Sequence, residues 1–169
     1  MKHILGPNSK STLTGVREGD SQPNAVDLRL DKVFKILPTV FEISEDHKKL
    51  RNTVEVFPDQ EGYFNLEVGD YEVVMLNQIS VGENEAGWVI TRSTLNRSNI
   101  FITSGLFDSK YSGCVAACMH VGTGLARIKK ETRVAQYLCF NAEMLHAYNG
   151  SYGIGVDGKP KADEQKYHS

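Results

Sequence analysis

Ile100-Phe101-Ile102-Thr103-Ser104-Gly105-Leu106-Phe107-Asp108-Ser109-Lys110-Tyr111-Ser112-Gly113 starts as a run of β-branched and aromatic residues, passes a glycine and an Asp-Ser-Lys turn, and leads into a second apolar run, Cys114–Val121. Short apolar runs bounded by turn formers read as strands, so this stretch predicts a β-hairpin with Asp108, Ser109 and Lys110 at its turn. The same texture recurs outward at Ala25–Leu30, Lys32–Leu37, Thr53–Phe57, Tyr71–Gln78, Trp88–Thr91 and Arg133–Phe140. Between these stand Pro58–Gly62, Val68–Asp70, Gly82–Asn84 and Gly122–Gly124, at the spacing of an all-β sandwich or barrel. No βαβ rhythm and no internal repeat is visible. Two segments predict helix: Glu45–Arg51, short and charged, and Ser93–Ser98, which follows a strand and starts at a hydroxyl cap. The stretch up to Gln22 and the segment after Tyr148 are polar and rich in Gly, Ser, Asn and Lys. They predict tails that are mobile without ligand. The expected organisation is one β domain over 1–148 and a flexible, glycine-containing arm over 149–169.

A chain of 169 residues suffices for one domain with a real core. Nineteen basic against 21 acidic residues leave a net charge of −2, which gives no long-range attraction for a nucleic-acid backbone. Nucleotides, if handled, are handled singly. The opening Met1–Pro7 lacks a signal-peptide pattern, and no run approaches the roughly 20 apolar residues of a membrane span. The expectation is a soluble, cytoplasmic protein without membrane or nucleic-acid partners. Cys114, Cys118 and Cys139 are odd in number, sit in apolar runs and lack C-x-x-C spacing, so reduced, buried thiols are expected. The His-x-Glu and Pro-Cys-x-x-Cys segments of zinc-dependent nucleoside deaminases are absent, which excludes that class.

Five segments carry more than strand patterning. They are Gln22-Pro23-Asn24-Ala25-Val26-Asp27-Leu28-Arg29-Leu30, Gly87–Arg97 with its Arg92-Ser93-Thr94-Leu95-Asn96-Arg97, Thr103–Gly113 with its Gly105-Leu106-Phe107-Asp108-Ser109-Lys110-Tyr111-Ser112-Gly113, Thr132–Phe140 with its Arg133-Val134-Ala135-Gln136, and Asn149-Gly150-Ser151-Tyr152-Gly153-Ile154-Gly155. In this order they resemble the motifs of the dUTPase / dCTP deaminase superfamily: Q-P-x-S-x-D-L-R-L, G-R-S-S-L-x-R, G-(V/L)-I-D-x-x-Y-x-G, R-I-A/G-Q-L-I-F and a glycine-rich C-terminal arm. The resemblance implies a distorted β-barrel or jelly roll with one short helix, assembled as a homotrimer with active sites at subunit contacts. It implies a pyrimidine deoxynucleoside triphosphate as substrate and Mg2+ as cofactor, bound mainly through the triphosphate. By the same match, Asp108 orients and deprotonates the attacking water, and Tyr111 packs against deoxyribose. Arg92, Ser93, Thr94, Arg97, Arg133 and Gln136 face phosphate, Gly105 belongs to the pyrimidine hairpin, Tyr152 lies near the place of the arm's stacking aromatic, and Asp27 acts near the metal through water. The residue chemistry agrees: arginine forks and hydroxyls beside backbone N–H groups suit phosphate oxygens, and a carboxylate suits a water base.

One position separates the branches of that superfamily. Its deaminases carry a glutamate ten residues past the hairpin Asp, and here that position is Cys118, in a strand without any carboxylate. A buried thiol has a raised pKa and shuttles protons poorly; His120, on the same strand face, is the one substitute in reach. The reading is therefore hydrolysis of dUTP to dUMP and diphosphate. The alternatives are dCTP deamination or hydrolysis, or a non-catalytic nucleotide-binding relative.

Overall fold

The computed structural model describes residues 1–169. In chain order the strands are β1 (Thr12–Leu13), β2 (Val26–Ile36), β3 (Glu42–Ile43), β4 (Lys48–Lys49), β5 (Thr53–Val56), β6 (Tyr63–Leu66), β7 (Gly69–Ser80), β8 (Glu85–Thr91), β9 (Ile100–Thr103), β10 (Ser112–Val121), β11 (Ala126–Lys129) and β12 (Arg133–Asn141). One α-helical turn, α1 (Ser93–Asn96), and a 3-10 turn, Gln165–His168, complete the chain. The main sheet runs β8-β12-β2-β7-β10-β9, and off this path β1 pairs with β7 and β5 with β2.

Its two ends meet. Gly87 and Phe107 exchange backbone hydrogen bonds of 2.9 and 2.8 Å. Where β8 and β9 splay, side chains take over from the ladder: Thr91 Oγ1 donates to Ile102 O at 3.0 Å and accepts from Ile102 N–H at 2.7 Å, and Ser104 Oγ accepts from Val89 N–H at 3.1 Å. A sheet closed in this way has no free edge along most of its length. Register shifts at Leu30/Lys32 in β2 and Arg133/Ala135 in β12 bend the strands around the core. Asn77, fully buried, fills the backbone gap these bends leave: its Oδ1 accepts from Arg29 N–H at 3.0 Å and its Nδ2 donates to Thr14 O at 2.9 Å.

Alternation puts Val26, Leu28, Leu30, Val73, Met75, Val115, Met119, Val134 and Tyr137 inside one contiguous core. Tyr137 enters it because Gly87, its neighbour across the strands, has no side chain; a Cβ at Gly87 would run into the phenol. The Tyr137 hydroxyl is buried without a hydrogen-bond partner. Tyr137→Phe is thus expected to be neutral or to stabilise by about 1 kcal/mol, read as an unchanged or raised urea midpoint.

The all-β expectation holds, and the main strands fall on the predicted runs, with Ala25–Leu30 and Lys32–Leu37 fused into the single bent β2. Four expectations are corrected. Glu45–Arg51 is not helical: it belongs to the exposed β3–β4 hairpin, because it has no apolar stripe to bury as a helix. The helix at Ser93 has no hydroxyl cap; Arg92, in extended conformation, is its N-cap and makes no side-chain capping bond. The N-terminal stretch is tied down, with Ile4 in the core and Lys2 N–H bonded to Cys139 O at 2.7 Å.

Glu85 is the anchor of that stretch. Fully buried, it accepts from Lys2 Nζ at 2.7 Å, Lys10 N–H at 2.8 Å, Ser11 N–H at 2.9 Å and Ser11 Oγ at 2.5 Å. Burial works to raise its pKa, but the Lys2, Ser11 and Lys10 hydrogen bonds outweigh it and hold the carboxyl down to about 2. The segment after Tyr148, expected as a mobile arm, is laid back on the barrel: Tyr167 is buried against Phe34, Val74 and Cys114, and Glu164 is fully buried.

Candidate active site

Two groups of side chains stand apart on the barrel. The first surrounds Asp27, a buried residue of β2 that faces Gln136 of β12 in register. Gln136 Nε2 donates to one carboxylate oxygen at 3.0 Å. The other oxygen faces Arg92 Nε at 3.3 Å, Arg133 Nη1 at 3.4 Å and Gln22 Nε2 at 3.3 Å. Arg92 in turn donates to the Arg133 carbonyl at 3.0 Å, and Arg133 to the Gly19 carbonyl at 2.8 Å. One carboxylate thus presets two guanidinium forks and an amide on a half-exposed surface. Beside it, Asp20 and Arg29 pair through two bonds of 2.9 and 2.5 Å. Burial opposes ionisation of Asp20, yet the Arg29 hydrogen bond and the Arg17 N–H hold its pKa down. Ser93 and Thr94 of α1 and Arg97, its C-cap, lie exposed nearby in sequence, their side chains free of hydrogen bonds within the chain.

The second group is the predicted hairpin. Its turn is fixed by backbone bonds from Tyr111 N–H to Asp108 O, Lys110 N–H to Val81 O and Val81 N–H to Tyr111 O, with Lys110 in the left-handed region at φ 69°. Ser109 turns inward and donates to Glu85 O at 2.6 Å, leaving the Asp108 side chain exposed and unpaired. Behind the turn lies a cavity of about 440 Å³, walled by Gly105, Phe107, Tyr111, Cys118, Tyr148 and Tyr152 among others. The Tyr111 hydroxyl donates to Cys114 O at 2.9 Å, and its ring packs edge-on against Phe107 and Tyr148. Burial, then the charge of Glu164, pushes its phenol well above the usual range.

No hydrogen bond or ion pair joins the two groups within the chain. Asp27, Arg92, Arg133 and Gln136 come together, as do Gly105, Tyr111 and Tyr152, while Asp108, Ser93, Thr94 and Arg97 project to solvent. Three of the arm's N–H groups are already taken: Gly153 N–H bonds Glu164 at 3.0 Å, Ile154 N–H bonds Ser112 O at 2.6 Å and Gly155 N–H bonds Lys159 O at 2.8 Å. His120, the substitute shuttle, pairs with Asp70 at 2.6 Å on the exposed surface and does not wall the cavity. Cys118 does wall it, with a thiol pushed up by burial and by the Asp70 and Glu72 carboxylates.

Glu72, Glu164 and Tyr148 are among the cavity residues missed from sequence. Glu72 stands opposite Cys118 in register and accepts from Lys166 and Tyr167. Glu164 and Tyr148 arrive on the folded-back segment. No local pattern marks any of them, since each reaches the cavity through long-range pairing.

The model of the dCTP deaminase-like family matches residues 8–142, most of the chain and every element just described except the C-terminal segment. The chain belongs to that family. Its relatives carry both activities of the wider superfamily in their names. The deoxyuridine 5'-triphosphate nucleotidohydrolase of Methanocaldococcus jannaschii is 31% identical over 153 residues, covering 88% of this chain and 97% of that one. The probable enzyme of the same name from Methanopyrus kandleri is 30% identical, covering 80% and 89%. A dUMP-forming dCTP deaminase of Salinispora tropica is 36% identical over a shorter stretch, 56% of this chain and 52% of its own. Among solved structures, the dCTP deaminase of Agrobacterium tumefaciens superposes with a TM-score of 0.59 at 16% identity, over 77% of this chain and 43% of its own. The dUTPase of the Staphylococcus aureus phage phi11 gives 0.51 at 10%, over 83% and 95%. These likenesses fix the barrel as the dUTPase-like fold. No helix of the chain is long and apolar enough to cross a membrane.

Proposed function

We propose that the protein hydrolyses dUTP to dUMP and diphosphate, with water attacking the α-phosphorus. The observation that carries this is the wall of the cavity at β10, which presents the Cys118 thiol where the family's deaminases need a carboxylate, while a fixed turn holds Asp108 free of any partner. Asp108 takes the proton of the attacking water. Arg92, Arg133 and Gln136, preset by Asp27, hold phosphate oxygens together with Ser93, Thr94 and Arg97, and bidentate forks suit that task. Gly105, Tyr111 and Tyr152 receive the nucleoside, with the Tyr111 ring excluding a 2′-hydroxyl.

Mg2+, when bound, neutralises triphosphate charge. Asp27 fits a role toward it only through water, because both its oxygens already accept from Gln136, Gln22, Arg92 and Arg133. The relatives' names support the substrate, and the three free cysteines support a reducing, cytoplasmic setting.

A homotrimer with shared sites accounts for the separation of the two groups. The exposed apolar side chains Val40, Phe41, Ile43, Leu50, Val54 and Phe57 around β3, β4 and β5 supply a surface for a second copy. The test is complementation: Asp108→Asn and Arg133→Ala chains are each inactive alone, and when refolded together they regain activity, since about a quarter of contacts in an equal mixture pair the two intact halves. Mixed trimers without activity would count against a shared site.

The second reading is dCTP deamination, favoured by one observation: Glu72, opposite Cys118, brings a carboxylate to the cavity from the neighbouring strand. Its oxygens are occupied by Lys166 and Tyr167, which weighs against proton shuttling.

A further inference from the structure

Cys114 and Glu164 of the cavity wall and His168 come from opposite ends of a long stretch of chain and converge, their ligand atoms all within 4.8 Å of one another. Cys114 Sγ lies 3.6 Å from His168 Nε2, and that nitrogen lies 3.5 Å from Glu164 Oε1. Donors about 2.3 Å (sulfur) and 2.0 Å (nitrogen or oxygen) from one zinc ion, at a tetrahedral angle, are themselves roughly 3.3 to 3.6 Å apart. We propose that these three side chains form a binding site for a borderline-soft divalent cation of the zinc type, which clamps the C-terminal segment onto β10.

The surroundings suit that ion. Glu164 is held in place as ligating carboxylates are, by second bonds: Cys114 N–H donates to Oε1 at 2.6 Å and Gly153 N–H to Oε2 at 3.0 Å. The segment can come this close only because Gly113 lacks a side chain; a Cβ there would lie 2.7 Å from both Glu164 Oε1 and the Gly153 Cα. The fully buried Glu164 carboxylate faces the Cys114 sulfur and the His168 imidazole, a donor set of the kind zinc takes. Thiolate and imidazole select zinc or cobalt over Mg2+, so this site is separate from the triphosphate-borne metal. The fourth position is left for water. The clamp fixes Tyr152 and Tyr167, both cavity-lining residues, and so sets part of the cavity wall.

The test needs no nucleotide, so it stands or falls apart from the hydrolase reading. Protein stripped of metal and reloaded with Zn2+ is expected to retain one ion per chain by elemental analysis after gel filtration. With Co2+ in its place, a thiolate-to-cobalt charge-transfer band should appear in the near ultraviolet. Cys114→Ser and His168→Ala should each abolish the band, whereas Cys118→Ser should keep it. His168 is exposed, so His168→Ala decides the matter if Cys114→Ser does not fold. No stoichiometric metal in the native chain, or a band unchanged in His168→Ala, would overturn the proposal.

Discussion

Asp108→Asn is expected to lower kcat for dUTP by about 10³-fold with KM little changed, because in the proposed mechanism it removes the general base while leaving the proposed phosphate and nucleoside contacts in place. The fold should be unaffected. The Asp108 side chain is exposed and unpaired, and the turn that carries it is fixed by Ser109, Lys110 and Tyr111, none of which bonds to that carboxylate. A loss of kcat with an unchanged melting temperature is therefore the signature. Near-normal turnover would remove Asp108 from the role of water base.

Glu85→Gln should be the most destabilising single change outside the apolar core. It leaves the Lys2 ammonium and the Lys10 and Ser11 N–H groups without their shared buried anion, at a cost of about 3 kcal/mol, or roughly 10 °C in melting temperature for a chain of this size. The pH dependence carries the same information. The folded pKa is depressed to about 2 from an ordinary 4.5, so the contribution of Glu85 is fully present above pH 4.5 and is lost as pH falls toward 2. The stability gap between native chain and variant should close across that window and stay constant above it. A gap that widened on acidification would contradict the anchoring of the N-terminal stretch by this residue.

Asp108 and Glu85 illustrate which parts of the molecule were legible in its sequence. The strands carrying the core announce themselves by local alternation, and the hairpin turn at Asp108 by its turn chemistry, because both signals lie within a few residues. The grouping of Asp27 with Arg92, Arg133 and Gln136 was legible only through motif order; nothing in their spacing places Gln136 opposite Asp27. Glu85, by contrast, follows the turn formers Gly82, Glu83 and Asn84 and reads as one more surface acid, although it is the buried acceptor for a segment some 75 residues away in sequence. Glu164 does the same for the C-terminal segment. Both tails read as mobile because their polar composition hides the buried carboxylates, Glu85 and Glu164, that hold them. The pair β6 and β11 escaped for a related reason: four-residue strands interrupted by Asn65 and Arg127 have little pattern, and they exist only because Phe64, Leu66, Ala126 and Ile128 bury together. Glu45–Arg51 shows the opposite error, where charge was read as a solvated helix although the segment offers no apolar face to dock.

The central claim is that the cavity serves phosphate hydrolysis on a deoxyuridine nucleotide. Its most direct test is to incubate the purified protein with Mg2+ and, separately, dUTP, dCTP, dTTP and UTP, and to resolve all products by chromatography. The predicted result is dUMP and diphosphate from dUTP, with UTP left intact. Formation of dUTP or dUMP from dCTP, abolished by Glu72→Gln, would contradict it and transfer the chemistry to the carboxylate opposite Cys118.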